Sequence, residues 1–364
     1  MPAGVTSIES VEKKAAAPGA GESRVSLRRG AYLPDRILAL LATCSALTII
    51  LLLVALVSVL VYAALPSFHT FGPSFLVHSQ WRPNELERIQ RDADGKVIKD
   101  ADGEPVTQTL PPAFGALPVI YGTAVTSALS LFIAVPFSIG AALFLIRIAP
   151  RRFVNAVSFL IEFLAAVPSI AYGLWGLFVL APFLQAYVEP RLNAVFHRIS
   201  GLHWLASSST TGRDIFCASL VLAIMVIPII TAVSRDVLRT VPSTQIEGTT
   251  ALGATWWQTS WEMLRYCRSG LFGAIMLGLA RAAGETMAVA MVIGNVNEIH
   301  ASPFAAAQTM SSLLANEFAE ASSDLHRAAL LEVALALLAM SLVFNVVARW
   351  LVVGGGGARA AGGH

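Results

Sequence analysis

The chain has 364 residues, of which 55% are hydrophobic and 13% charged. Soluble domains carry about 25% charged residues, so this composition excludes an ordinary soluble enzyme or binding module and points to an integral membrane protein. The formal net charge of +2 says little about partners, and nothing suggests nucleic acid.

A spanning helix needs ~20 predominantly apolar residues, and six segments qualify, at roughly 37–64, 118–147, 154–182, 214–234, 270–293 and 326–353. Residues 1–36 are polar and basic with no apolar core, which predicts a disordered tail rather than a cleavable signal peptide. After the first helix (37–64), prolines in ALPSFHTFGPSF start a soluble segment expected to be an external loop over 65–117. It holds DADG twice, at 92–95 and 100–103. The EF-hand spacing is not met, so a hairpin with Asp-Gly turns is favoured over a calcium loop.

The remainder, 118–353, holds the other five predicted helices. The second contains Pro136 behind a run of small residues, GTAVTSALS, that permits close helix packing. The third carries Glu162 near one end, then Pro168, Gly173 and Gly176; such breaks are tolerated where neighbours satisfy the freed carbonyls. A second outside loop is expected over 183–213, and residues 354–364 read as a flexible tail.

Lysine and arginine set the orientation. With both termini inside, the inside segments hold 15 and the outside segments 8, and the short loop APRRFV at 149–154 favours the inside. Cys44, Cys217 and Cys267 have no CxxC spacing and the histidines are scattered, so neither a disulfide framework nor a metal site is expected.

Between the fourth and fifth helices, 234–270 is too polar to span. Pro242 suits a helix first turn and Gly253 a sharp turn with φ > 0. In TWWQTSWEML, Trp257, Trp261 and Leu264 fall on one helical face. Two short helices about a glycine turn are expected, their face offered to the membrane interface or to another protein.

The fifth helix places Arg281 and Glu285 near its centre, one turn apart. A charge there costs ~2.5–3.5 kcal/mol, so the pair must face the bundle interior, either as a structural ion pair or as a functional site. Gly270, Ala274, Gly278 and Ala282 form a neighbouring small stripe suited to close packing.

EGTTALGAT, Glu247 to Thr255, resembles the EAA loop of ATP-binding cassette importer permeases. In that family the loop docks into a cleft on a separate ATPase, and the resemblance carries this coupling role to Glu247, Gly248, Ala251 and Gly253. VPSIAYGLWGLFVLAP and LGLARAAGETMAVAMVIGN resemble the PstC-type permease subunit of the phosphate-specific transporter, as do FGALPVIYGTAVTSALSLFIAVPFSIGAALFL and the Trp81 region. The resemblance covers about 66–350. It departs from the usual EAA pattern at Gly248, at Thr249 and at Arg265, where proline normally follows leucine.

The resemblance implies an all-α type I importer permease of six transmembrane helices, with cytoplasmic coupling helices at about 240–268. It also implies that Arg281 and Glu285 are needed for transport. A guanidinium offers a planar fork matched to phosphate oxygens. A glutamate can hold that fork, or accept a hydrogen bond from the protonated oxygen of hydrogen phosphate, which sulfate lacks.

No G-x-x-x-x-G-K-[ST] occurs, since Gly95-Lys96 is followed by Val97. The chain is therefore expected to be no enzyme and to hold no cofactor, with ATP and magnesium bound by a partner subunit. The implied partners are a second homologous permease subunit (PstA-type), two ATPase subunits (PstB-type), an external phosphate-binding protein (PstS-type) and membrane lipid. The reading is phosphate import across the bacterial inner membrane by alternating access. The alternatives are a permease for another oxyanion or small solute, and a secondary transporter or channel with no ATPase partner.

Overall fold

The structure is a computed structural model, which describes residues 33–84, 86–89, 107–199, 201, 203–206 and 211–356. The DADG repeats, most of the N-terminal tail and residues 357–364 lie outside the described residues. Two units make up the chain, one ending at Leu56 and the other starting at Val57.

The first unit contributes the opening of helix α1, Leu33–Phe71. Every side chain from Asp35 to Leu56 is exposed. A helix apolar on all sides is stable where lipid or another protein surrounds it.

In the second unit α1 runs on to Phe71, into the segment expected as a loop, and a 3-10 turn, Gly72–Leu76, follows. Strands β1 (Leu86–Ile89) and β2 (Thr107–Leu110) pair antiparallel, with Leu86 opposite Leu110. Next come α2 (Leu117–Arg147), α3 (Arg151–Ala166) and a long helix α4 (Ser169–Arg198). The chain continues through α5 (Ile215–Arg239), α6 (Ser243–Ala251), α7 (Trp256–Tyr266), α8 (Arg268–Ala283), α9 (Met287–Val292), α10 (Met310–Glu317) and α11 (Asp324–Gly356).

Among the described residues, five helical segments are long and apolar enough to cross a membrane: Asp35–Leu76, Leu117–Arg147, Ser169–Arg198, Ile215–Arg239 and Asp324–Val347. Two of the six expected stretches are not single helices. The stretch 154–182 is broken at Val167, whose ψ of 130° is extended. Pro168 follows it, and the ring of a proline drives the preceding residue out of helical conformation. Helix α3 is therefore separate and amphipathic, with Phe159 and Phe163 exposed. The spanning helix starts afresh at Ser169 and runs to Arg198, taking up part of the expected 183–213 loop. The stretch 270–293 is broken at 284–286, between α8 and α9.

Helix α5 is the hub, and its side chains fill the largest core with those of α2, α4, α8 and α9. Asp214 caps it, accepting from the Cys217 amide at 2.8 Å. Its other leading amides donate to Ala305 and Pro303 carbonyls. The small stripe on α8 packs against α5: a Cβ on Gly278 would lie 2.6 Å from Ile230, and one on Gly270 the same distance from Val237. Ala274 and Ala282 are buried beside them.

A second core holds α10 and α11 against α2. Gly122 lets α2 approach the Gln308 carbonyl too closely for any side chain, and the Met310 amide donates to Thr123 Oγ1 at 2.9 Å. Glu317 Oε2 accepts from the Trp81 indole at 2.8 Å and lies 3.1 Å from His326 Nε2, whose ring stacks on Phe114. This network ties the segment after α1 to α10 and α11.

Candidate functional site

The break between α8 and α9 builds the site. Helix α8 has 16 residues, a rise of about 24 Å, short of the ~30 Å hydrocarbon core. Gly284 ends it, its amide donating to Ala280. Backbone freed inside a membrane must be satisfied by protein, and the break meets that demand. Ser311 Oγ of α10 donates to the Glu285 carbonyl at 2.8 Å, and Thr286 Oγ1 donates to the Gly284 carbonyl at 3.3 Å.

Arg281 and Glu285 come together here. Arg281 Nη2 lies 3.4 Å from Glu285 Oε2, and Glu285 Oε1 accepts from the Ala288 amide at 3.5 Å. They are placed by a helix end rather than by a helix centre. Arg281 stands in the last turn of α8, where the dipole favours a cation. Their environments differ: the Glu285 side chain is 4% exposed and that of Arg281 48%. Glu285 engages a single nitrogen of the guanidinium, and among the described residues no other contact uses the remaining donors.

The surface around Arg281 is uncovered. Gly273, Leu277, Ala280, Gly284 and Met287 are exposed along the same side. A charged group half open on the flank of a membrane helix requires a polar cavity or a second protein beside it.

The loop residues Glu247, Gly248, Ala251 and Gly253 form a separate, fully exposed group. Helix α6 buries none of its residues. Pro242 sits one position ahead of its first turn, as the N-cap. Gly253 has φ 79°, and a Cβ there would meet nothing within 4 Å. Leu252 beside it is 90% exposed. Thr255 and Gln258 close a reciprocal capping box that starts α7.

The buried side of α7 is Thr259, Ser260 and Met263, and Leu264 packs partly against the same core. Trp257 and Trp261 stack on each other with ring centroids 6.5 Å apart and face away. The expected face of Trp257, Trp261 and Leu264 is thus divided, because the bundle side is filled by small polar side chains. Cys267, between α7 and α8, is buried, and burial pushes its thiol up from the ordinary value.

Three buried acids escaped the sequence reading. Glu332 is 2% exposed within α11, beside Ser67 of α1. An ionisable residue within an apolar run was its visible signal. Glu189 and Asp214 are fully buried where α4 approaches the start of α5. Asp214 directly ahead of an apolar run carried the N-cap signal; nothing local marked Glu189.

The bundle of broken apolar helices and the exposed helix pair define a membrane transport component. Residues 134–353 match the family of binding-protein-dependent transport system inner membrane components, and the chain belongs to it. Within it, the chain is a member of the phosphate transport system permease protein PstC family. Such a protein from Pasteurella multocida is 41% identical over 309 residues, covering 85% of this chain and 88% of the relative. One from Mesorhizobium japonicum is 38% identical over 339 residues, covering 93% of this chain and 96% of the relative. Among solved structures, a chain of the MetNI methionine ABC transporter, inward facing, aligns with TM-score 0.48 and 16% identity over 65% of this chain and 96% of that chain.

Proposed function

We propose that this chain is the permease subunit of an ATP-driven phosphate importer. The observation that carries the reading is its likeness, over nearly its whole length, to phosphate transport system permease proteins. The Arg281–Glu285 pair supplies the chemistry. Glu285 tethers one nitrogen of the guanidinium and leaves the other donors to an anion. The buried carboxyl group accepts a hydrogen bond from a protonated phosphate oxygen and repels a fully ionised sulfate. Radiolabelled uptake in cells with and without the gene tests this. Phosphate uptake is expected to depend on the gene while sulfate uptake does not; equal dependence of both would overturn the phosphate reading.

The energy comes from partners. The exposed α6–α7 pair is the docking element for an ATPase subunit, which binds ATP and magnesium. Closure of two such subunits rocks the bundle between outward and inward states. The uncovered side of α8 seats a second permease subunit, and an external phosphate-binding protein delivers the anion. Both termini face the cytoplasm of a bacterial inner membrane. A cysteine at position 211 is expected to react with an impermeant reagent added to intact cells, and one at position 247 only after lysis. The reverse pattern would sink this orientation.

A further inference from the structure

Glu189 and Asp214 lie at the end of α5 opposite α6, and both are 0% exposed. Each commits one oxygen to a backbone amide. Glu189 Oε2 accepts from Gly212 at 3.3 Å, and Asp214 Oδ1 from Cys217 at 2.8 Å. The other two oxygens, Glu189 Oε1 and Asp214 Oδ2, are buried with no donor from the protein. Yet Glu189 holds Gly212, two residues ahead of Asp214, and the two carboxyl groups act on each other at close range.

Among the described residues, the surroundings supply no counter-charge. From α5, the one other titratable group against the pair is the Cys217 thiol. From α4, Arg191 is exposed and donates to the Tyr187 carbonyl. Arg213, in the intervening loop, is exposed. The segment 303–305 brings carbonyls to the amides of Ile215 and Phe216 and no titratable side chain. Two carboxylates cannot hydrogen-bond without a proton, and two like charges in one dry site cannot both ionise. One proton held between the carboxyl groups removes the second charge and supplies the donor that they lack.

We propose that Glu189 and Asp214 share a single proton, forming a carboxyl–carboxylate latch that holds the 211–214 loop between α4 and α5 and releases it when the proton leaves. The loop is already pressed hard against α4: Gly212 has φ 70°, and any side chain there would strike the Ala181 carbonyl. Burial is the largest cause lifting the Asp214 carboxyl, to about 8, and the Glu189 charge adds to it. A carboxyl raised on folding stabilises the fold in full below its unfolded value of ~4. That contribution fades as pH rises and is gone once pH passes through about 8. The latch is therefore shut at acid and neutral pH and loosens in mild alkali. It stands whatever solute the protein carries.

Hydrogen exchange of the full-length protein in lipid nanodiscs, followed on the peptide containing Gly212 and corrected for intrinsic rate, reads the latch directly. Between about pH 6 and about pH 9, wild-type protection is expected to fall by about tenfold or more. Glu189→Gln keeps an oxygen for Gly212 and donates permanently to Asp214, and Asp214→Asn keeps the helix cap and donates to Glu189. Both variants are expected to hold the same protection at both pH values. A flat wild-type profile would overturn the proposal even if neither variant folds, and so would variants that lose protection as the wild type does.

Discussion

Arg281→Lys is expected to leave the protein in the membrane at normal level and to cut phosphate uptake by roughly 10- to 100-fold, the worth of one or more charge-assisted hydrogen bonds. Lysine keeps the charge and loses the planar fork. The harder test removes both charges. Arg281→Gln alone strands the carboxylate of Glu285, which is 4% exposed at the side chain, and an uncompensated buried charge is strongly destabilising. Arg281→Gln with Glu285→Gln removes that penalty, because replacing a whole pair is often neutral. If the pair only braces the α8–α9 break, the double variant should transport better than either single one. If Arg281 handles the anion, the double variant inserts, assembles and transports nothing. Our reading expects the second result; substantial uptake by the double variant, normalised to membrane protein, would remove Arg281 from the substrate pathway.

For Gly253→Asp the expected result is a protein that still folds and inserts but retains about a tenth or less of its ATPase partner on purification, with uptake falling in step. The structure separates the two effects. A side chain at 253 would meet nothing within 4 Å, so no packing is lost. The left-handed backbone, φ 79°, adds strain of about 1–2 kcal/mol to the turn alone. What changes is the exposed tip beside Leu252 and Ala251, which gains a charge and a stiffer turn. Normal co-purification and normal uptake would exclude the α6–α7 pair as the docking element.

The membrane class, the position of Gly253 and the close packing of Gly270 and Gly278 were legible in the residues themselves. Each rests on a local property: apolar length, the missing Cβ that a left-handed turn requires, or small residues recurring on one helix face. The interruption after Val167 was legible too, since a proline constrains its own predecessor; the apolar composition of 154–182 masked it. The break at 284–286 was not, because one glycine in an apolar run is compatible with an unbroken helix. It exists because Ser311, distant in sequence, supplies a donor for the freed Glu285 carbonyl. The same folding buries Glu285 while leaving Arg281 half open, a division that i, i+4 spacing cannot express. The meeting of Glu189 with Asp214 also belongs to the folded chain, since the return of the 211–214 loop onto α4 places both carboxyls in one dry site. Spacing along the chain decides which groups share a face; desolvation and partnership depend on what other segments bring against that face.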